Sequence, residues 1–267
     1  MDSTIIDWAL GLPKGMRLKD FPSFIRTTDP DDAMLTLTLH STECQRSVPS
    51  AVVFHTFEEL ESQVIRAMSD ILPLIYAMGL PPLLLREACA IVGNDHAAST
   101  SAASSLSKED HACQVWLDGK RPNSVVFTIF GSLVRLTSEQ LAELDWVLAS
   151  SGYEFLRVIR SDQQAMGAPG ATTIVLPLEF LAEMEGRGRV TSWCLQEAVL
   201  WHKALGAFLM HCRWNSMLES VCAGVPMLCW PFGADQQTNS RMPCTEWRVS
   251  VELSEDPGQE EVEAAIL

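Results

Sequence analysis

The side chains best suited to chemistry lie between residues 193 and 236, where aromatic, amide, hydroxyl, imidazole and carboxylate groups follow one another closely. Trp193 offers a large apolar face that can stack on a flat ring, and Gln196 carries both a hydrogen-bond donor and an acceptor. Glu219 can accept hydrogen bonds from two neighbouring hydroxyl groups. Taken singly, each residue also has an ordinary interpretation, as a core tryptophan, a surface glutamine or part of a helix cap.

The start of one predicted helix supplies a second chemical feature. Asn215 and Ser216 are predicted to begin a helix that ends at Gly224, and Ser216 and Glu219 have the spacing of a capping box. The N–H groups and the positive dipole end of such a helix can receive an anionic group such as a phosphate. The alternative interpretation is a well-capped helix and nothing more.

The composition excludes several classes of protein. The 267 residues are 47% hydrophobic and 20% charged, which predicts an ordered chain of one or two domains. The chain has 19 basic and 34 acidic residues, a net charge of 19 − 34 = −15, and so acidic a surface repels nucleic acids and anionic membranes. Residues 191–250 hold four charges of each sign, so the segment that carries the candidate anion site is neutral within an acidic chain.

The sequence also bears on the cellular compartment. No basic stretch followed by a long apolar run begins the chain, so no signal peptide is predicted. The longest uncharged apolar stretch, residues 71–85, contains three prolines and is shorter than the roughly 20 residues of a membrane-spanning helix. The eight cysteines never form a CxxC pair, which favours reduced thiols in a cytoplasmic protein.

Alternating strands and helices must position the chemical side chains. Residues 81–107 are rich in small residues and are predicted to be a linker. Thr137 and Gln140 have the spacing of a capping box. Strands are predicted at 51–57, 124–130, 155–159, 173–175, 190–193 and 225–230, and helices at 58–68, 137–150, 196–210 and 215–223.

This alternation predicts an α/β fold with a mainly parallel sheet. Ligands of such sheets bind beyond the carboxyl ends of the strands. The loops that end at Ser132, Cys194, Trp214 and Asp235 are therefore the candidate binding loops.

A set of rare residue types occurs in a fixed order, namely Trp193-Cys194-Leu195-Gln196, His202, His211-Cys212-Arg213-Trp214-Asn215-Ser216, Glu219, Gly224-Val225-Pro226-Met227, Trp230-Pro231 and Asp235-Gln236. In order and spacing this segment resembles the signature box of the plant UDP-glycosyltransferases, family-1 enzymes of GT-B fold. Phe130-Gly131-Ser132 resembles the family's strand-end turn. Residues 11–32 and 51–68 look most like the cyanohydrin-type glucosyltransferase branch.

The resemblance implies a GT-B-type fold and a division of the chain. Residues 1–80 would be the last part of the acceptor-binding N-terminal domain, and residues 81–107 the linker. Residues 108–267 would form the UDP-sugar-binding domain, a Rossmann-like parallel sheet cut short at its C-terminal end. The sequence therefore looks like a truncated gene product.

The resemblance also implies an activity, the inverting transfer of a hexose, most simply glucose, from a UDP-sugar to a hydroxyl of a small molecule. In the family, Ser132, His211, Asn215 and Ser216 face the diphosphate, while Glu219 takes the ribose hydroxyls. Trp193, Cys194 and Gln196 belong to the nucleotide-binding set, and Trp214, Asp235 and Gln236 to the sugar pocket. No metal, no cofactor apart from the donor substrate and no obligate protein partner is implied.

Position 213 departs from the family pattern, since Arg stands where the family has Gly. If this backbone needed a positive φ, the side chain would cost roughly 1–2 kcal/mol and could displace the phosphate-binding loop. The guanidinium could instead pair with the diphosphate. The sequence leaves the sign of the effect open.

The catalytic residues of the family have no counterpart here, because its base, a His, and the Asp that orients it belong to an earlier part of the N-terminal domain. The histidines of this chain stand in other contexts, at positions 40, 55, 96, 111, 202 and 211. The alternative function is therefore an inactive UDP-sugar-binding fragment. A metal site formed by Cys194, His202, His211 and Cys212 is a further hypothesis, but the spacing fits no usual zinc pattern.

Overall fold

The computed structural model describes residues 3–92, 112–131, 137–159, 186–254, 257 and 259–266. The chain divides into two compact units, the first formed by residues 1–102 with 233–248 and the second by residues 103–232 with 249–267. The α-helices in the described residues are α1 (Ala33–Ser47), α2 (Glu58–Met68), α3 (Pro81–Val92), α4 (Ala112–Asp118), α5 (Ser138–Ser150), α6 (Gln196–Leu200), α7 (Trp214–Ala223), α8 (Gln236–Thr245) and α9 (Gln259–Ile266). The strands in the same described ranges are β1 (Ala51–Phe54), β2 (Leu74–Ala77), β3 (Val125–Ile129), β4 (Glu154–Val158), β5 (Gly188–Thr191), β6 (Leu205–Met210), β7 (Met227–Cys229) and β8 (Ser250–Glu252).

The first unit contains one βαβ element. β1 and β2 pair in parallel, with α2 between them in the chain. This arrangement confirms the predicted strand and helix at residues 51–68, whereas α1 and β2 were not predicted. A short 3₁₀ helix, Leu18–Asp20, contacts α8 of the same unit. There the buried carboxylate of Asp20 pairs with Arg17 at 2.7 Å and lies 3.4 Å from the Nε of Arg241.

Six strands of the second unit, counted over the part of the chain that the structure describes, form a parallel sheet in the order β5-β4-β3-β6-β7-β8. Numbered by their appearance in this sheet, the strands follow the order 3-2-1-4-5-6, which is that of the dinucleotide-binding α/β folds. The predicted mainly parallel sheet is confirmed. Strands 124–130 and 225–230 of the prediction lie in this one sheet as β3 and β7.

The core of the second unit lies on the central strands. Every residue of β3 is buried, as expected for a parallel strand covered on both faces. The rings of Phe127 and Phe208, on neighbouring strands, stack with their centroids 5.0 Å apart. Leu144 and Leu148 of α5 belong to the same buried set of apolar residues as Phe155 of β4.

One buried ion pair interrupts this apolar core. Arg157 of β4 is 2% exposed and pairs with Asp145 of α5, which is 6% exposed. Burial lowers the pKa of Arg157 to about 9. Burial of a guanidinium is tolerable only where a partner of opposite charge offsets the loss of water. The pair is therefore a polar contact between α5 and β4 within the apolar core.

The longest predicted helix, 196–210, is wrong in its second half. The helix ends at Leu200, and residues Leu205–Met210 form β6, which pairs with β3 and β7. A short apolar run such as LGAFLM has the same pattern in a buried helix and in a buried strand. Its place between two parallel strands decides the conformation.

Other local predictions had mixed outcomes. The capping box of α5 is confirmed, since Gln140 N donates to Thr137 Oγ1 and Thr137 N donates to the Gln140 side chain. The first part of the predicted linker 81–107 is helical, as α3, and the predicted strand 173–175 lies outside the described residues. Of the helices that the structure describes, none is long and apolar enough to cross a membrane.

Candidate functional site

The centre of the second unit's sheet is a topological switch point. β3 and β6 are neighbours, and from them the chain continues to opposite sides, to β4 beside β3 and to β7 beside β6. In open parallel sheets the crevice outside the carboxyl ends of two such strands is where ligands bind. Here it lies between Gly131, after β3, and His211, after β6.

Gly131 and His211 are in close contact at this crevice. Gly131 has φ +67°, and a Cβ built on it would lie 2.8 Å from both Cε1 and Nε2 of His211. The imidazole is 2% exposed. Only glycine combines this left-handed backbone with so near a neighbour. Ser132, the hydroxyl predicted at this turn, lies outside the described residues.

Aromatic rings support the same edge of the sheet. Phe130, after β3, meets Trp230 and Phe232, after β7, edge to face, with centroid separations of 5.6 and 5.7 Å. Trp230 belongs to the sequence motif, whereas the role of Phe130 and Phe232 was not predicted. Ring packing of this kind holds the two strand-end loops in place.

The turn into α7 differs from the sequence prediction. Arg213 has φ −71° and ψ 136° and occupies the N-cap position of the helix, which begins at Trp214. The left-handed residue is Cys212, with φ +64°. The hypothesis of a strained backbone at Arg213 is therefore wrong, because its conformation is open to any residue. The helix ends as predicted, at Gly224 with φ +70°.

The predicted capping box of Ser216 and Glu219 is also wrong. The cap residue is Arg213, and no side chain makes a cap hydrogen bond there. Ser216 lies instead inside the first turn, is 8% exposed, and has another partner. That partner is Gln196, the first residue of α6.

Gln196, Ser216 and Glu219 form one hydrogen-bonded group. The Nε2 of Gln196 donates to Ser216 Oγ at 2.9 Å and to Glu219 Oε2 at 2.6 Å. Helices α6 and α7, which carry these residues, pack against each other and follow the carboxyl ends of β5 and β6. The structure thus joins three of the predicted site residues across separations of 20 and 23 positions in the sequence.

The electrostatics of this group are governed by burial. Burial raises the pKa of Glu219, the hydrogen bond from Gln196 opposes this rise, and the neighbouring charge of Glu197 adds to it. Burial and the charge of Glu219 raise the pKa of the Cys222 thiol. Glu219 is thus a carboxylate held with little water, suited to accept hydrogen bonds from hydroxyl groups of a ligand.

The remaining predicted site residues of the second unit lie in the loop after β5 and in the first turn of α7. Trp193 and Trp214 are half-buried, Cys194 is 3% exposed, and Asn215, the second residue of α7, is exposed. An exposed side chain next to the first-turn N–H groups of a helix is open to a ligand.

Asp235 and Gln236 belong to the first unit and begin α8. Asp235 is exposed, and its Oδ2 accepts a hydrogen bond of 2.8 Å from Asn239. The side-chain oxygen of Gln236 accepts from Gly233 N at 3.3 Å. Both side chains therefore help to shape the start of their own helix.

His202, one of the four residues of the metal hypothesis, makes local contacts within the fold. Its Nδ1 accepts a hydrogen bond from Ala204 N at 3.1 Å. Its Nε2 lies 3.3 Å from Oδ1 of Asp118, and this contact joins the end of α4 to the turn before β6. In the described ranges no three His, Cys, Asp or Glu side chains are grouped so as to hold a metal ion.

The site lies on a sheet with nucleotide-binding strand order, and the sequence profile of the UDP-glucoronosyl and UDP-glucosyl transferase family matches residues 34–266. The chain belongs to this family. The resemblance seen in the signature segment is thereby confirmed.

Curated relatives agree with the family. The chain is 46% identical over 266 residues to UDP-glycosyltransferase 85A1 of Arabidopsis thaliana, covering 100% of the chain and 52% of the relative. It is 46% identical over 261 residues to 7-deoxyloganetin glucosyltransferase of Gardenia jasminoides, covering 98% and 52%. It is also 46% identical over 250 residues to (R)-mandelonitrile beta-glucosyltransferase of Prunus dulcis, covering 94% and 50%. The last acts on a cyanohydrin by its name, in line with the predicted branch, and the chain spans about half the length of these curated relatives.

Solved structures agree with the fold. An anthocyanidin 3-O-glucosyltransferase in complex with UDP aligns with a TM-score of 0.79 at 25% identity, covering 100% of this chain and 54% of that one. Os79 from O. sativa in complex with UDP aligns with a TM-score of 0.78 at 28% identity, covering 96% and 54%. The predicted α/β fold of GT-B type is confirmed.

Proposed function

We propose that this chain provides the donor site of a UDP-glucosyltransferase, which transfers glucose from UDP-glucose to a hydroxyl of a small-molecule acceptor. The observation that carries the proposal is the group of Gln196, Ser216 and Glu219 beside a switch point of nucleotide-binding type. A half-buried carboxylate next to an amide, together with a helix N-terminus, matches the diol and the diphosphate of a nucleotide sugar.

The relatives support the choice of donor and reaction. Two of them are glucosyltransferases by name, and the two aligned structures are complexes with UDP. Their named acceptors differ from one another, so the acceptor class proposed here is no narrower than a small molecule with a hydroxyl group. No finding favours the alternative of an inactive fragment.

Each site residue receives a proposed role from its chemistry. Trp193 stacks on the base, and Gln196 forms a hydrogen bond with the base edge or the ribose, with the buried Cys194 between them in the chain. Glu219 accepts from the ribose hydroxyls. The diphosphate binds at the first turn of α7 and at the strand-end turns, through Ser132, His211, Asn215 and Ser216. The sugar binds to the other motif residues, Trp214, Asp235 and Gln236.

The proposed reaction is an inverting displacement. The acceptor oxygen forms a bond to the anomeric carbon while the bond from that carbon to the β-phosphate oxygen breaks, and UDP leaves with the electron pair. The acceptor proton passes to a general base, a role that we assign to no residue of this chain. The chain's own contribution is to bind UDP and to hold the anomeric carbon in position.

We also propose the division of labour along the chain that the sequence predicts. Residues 1–80 serve acceptor binding, residues 108–267 donor binding, and residues 81–107 connect the two. None of the seven cysteines whose side chains are described is part of a disulfide, which supports a reducing compartment, and we propose the cytoplasm.

Calorimetric titration of the full chain with UDP and UDP-glucose tests the donor site. Trp193→Ala should weaken UDP binding about 5- to 150-fold, because base–aromatic stacking contributes about 1–3 kcal/mol. Trp146→Ala is the matched control, since Trp146 is an exposed tryptophan of α5 in the same unit. Equal UDP affinity of the parent and of Trp193→Ala would show that the base binds elsewhere.

UDP affinity should also fall as the pH is lowered, starting above the ordinary carboxyl pKa of 4.5, because burial raises the pKa of Glu219. A carboxylate accepts from both ribose hydroxyls, whereas its protonated form loses part of that capacity. Lowering the pH through the raised pKa therefore removes binding energy. Glu219→Gln should bind UDP more weakly at neutral pH and show a flatter pH profile. Parallel profiles for the two proteins would argue against this role.

A further inference from the structure

We propose that Arg213 binds the terminal phosphate of the nucleotide, so that this chain distinguishes UDP from UMP and uridine partly by a guanidinium contact. The inference rests on the proposed function, because it assigns a new residue to the same donor site. Three features of Arg213 support it: its backbone conformation, the absence of a competing carboxylate, and its distance along α7 from Glu219.

The backbone carries Arg213 without strain. Its φ of −71° and ψ of 136° lie in the extended region, which any residue adopts. The left-handed conformation of this turn falls on Cys212, whose side chain is buried. The turn therefore accommodates a large side chain at position 213 without backbone strain there.

The guanidinium is available for an anion. Arg213 is exposed and, among the residues that the structure describes, forms no ion pair. A cation without a carboxylate partner is notable in a chain with a net charge of −15. Arginine binds phosphate through two parallel N–H donors, a stronger contact than a backbone N–H alone provides.

The position along α7 selects the terminal phosphate. Arg213 is the cap residue and Glu219 the sixth residue of the helix, so about 9 Å of helix axis separates them at about 1.5 Å per residue. A nucleotide whose ribose diol meets Glu219 directs its phosphates toward the first turn. The phosphate farthest from the ribose then comes nearest to the cap residue, and a nucleoside without phosphates does not reach it.

Titration of uridine, UMP and UDP into the parent chain and into Arg213→Gln tests the proposal. Arg213→Gln should weaken UDP binding about tenfold or more, since a hydrogen bond between charged groups is lost, and should leave uridine binding unchanged. Arg213→Lys should give an intermediate loss, because a lysine keeps the charge without the paired donors. The UDP affinity of the parent should decrease more steeply with added salt than that of Arg213→Gln.

Lys203→Gln is the matched control, because it removes one exposed positive charge from the same unit. It should leave the affinity for all three ligands unchanged. An unchanged UDP affinity of Arg213→Gln, or an equal loss for uridine and UDP, overturns the role of Arg213 alone. A folded parent chain that binds no UDP overturns the proposed function, and the role of Arg213 with it.

Discussion

Asp145→Ala should lower the free energy of unfolding by about 3–5 kcal/mol, because it leaves a buried guanidinium without its partner. Arg157 is 2% exposed, on a strand whose neighbouring residues Leu156 and Val158 are also buried. Burial already lowers the pKa of Arg157 to about 9, so its charged form has lost most of its water. Urea unfolding followed by circular dichroism measures the effect.

The double variant Asp145→Ala with Arg157→Leu is the control for this prediction. It removes both charges and fills part of the space with an apolar side chain, so its stability should return close to that of the parent or exceed it. A loss below about 1 kcal/mol for Asp145→Ala alone would match an exposed ion pair and would contradict the burial argument.

Gly131→Ala should destabilise the chain and weaken UDP binding about tenfold, equivalent to about 1.4 kcal/mol. The left-handed backbone alone costs an alanine roughly 1–2 kcal/mol. In addition the new Cβ would lie 2.8 Å from the His211 ring, which is buried and must move. Movement of His211 changes the crevice where the phosphates are proposed to bind. Thermal unfolding and calorimetric titration measure the two effects.

Gly152→Ala is the matched control for the backbone term. Gly152 has φ +74°, and no atom lies within 4 Å of a Cβ built there. This variant should lose stability through the backbone term alone and keep its UDP affinity. Equal behaviour of the Gly131 and Gly152 variants in both measurements would show that contact with His211 has no part in nucleotide binding.

Local signals explain the elements that the sequence predicts well. Helix α5 begins with a capping box and α2 has apolar residues at helical spacing, and both helices have the predicted ends. β6 was predicted as helix because an apolar run carries no period that separates the two conformations. The hydrogen bonds of β6 come from strands 80 residues before it and about 20 residues after it. No local pattern contains that information.

The site shows the same division. The residue types of the signature segment point to stacking, to hydroxyl recognition and to an anion. The sequence assigned Ser216 and Glu219 to each other as a capping box, whereas the structure pairs both with Gln196. It also left open a strained backbone at Arg213, whereas the positive φ lies at Cys212. A shift of one residue in a turn is set by packing around the turn, which spacing does not report.

By itself, then, the sequence determined the family, the alternation of strands and helices, and the chemical groups of the donor site, because order, spacing and residue type carry these properties. The tertiary structure alone decided the 3-2-1-4-5-6 strand order, the contact of Gly131 with His211, the buried pair of Arg157 and Asp145, and the unstrained conformation of Arg213. These depend on contacts between distant parts of the chain. Such contacts form only when burial of apolar surface brings the strands and helices together.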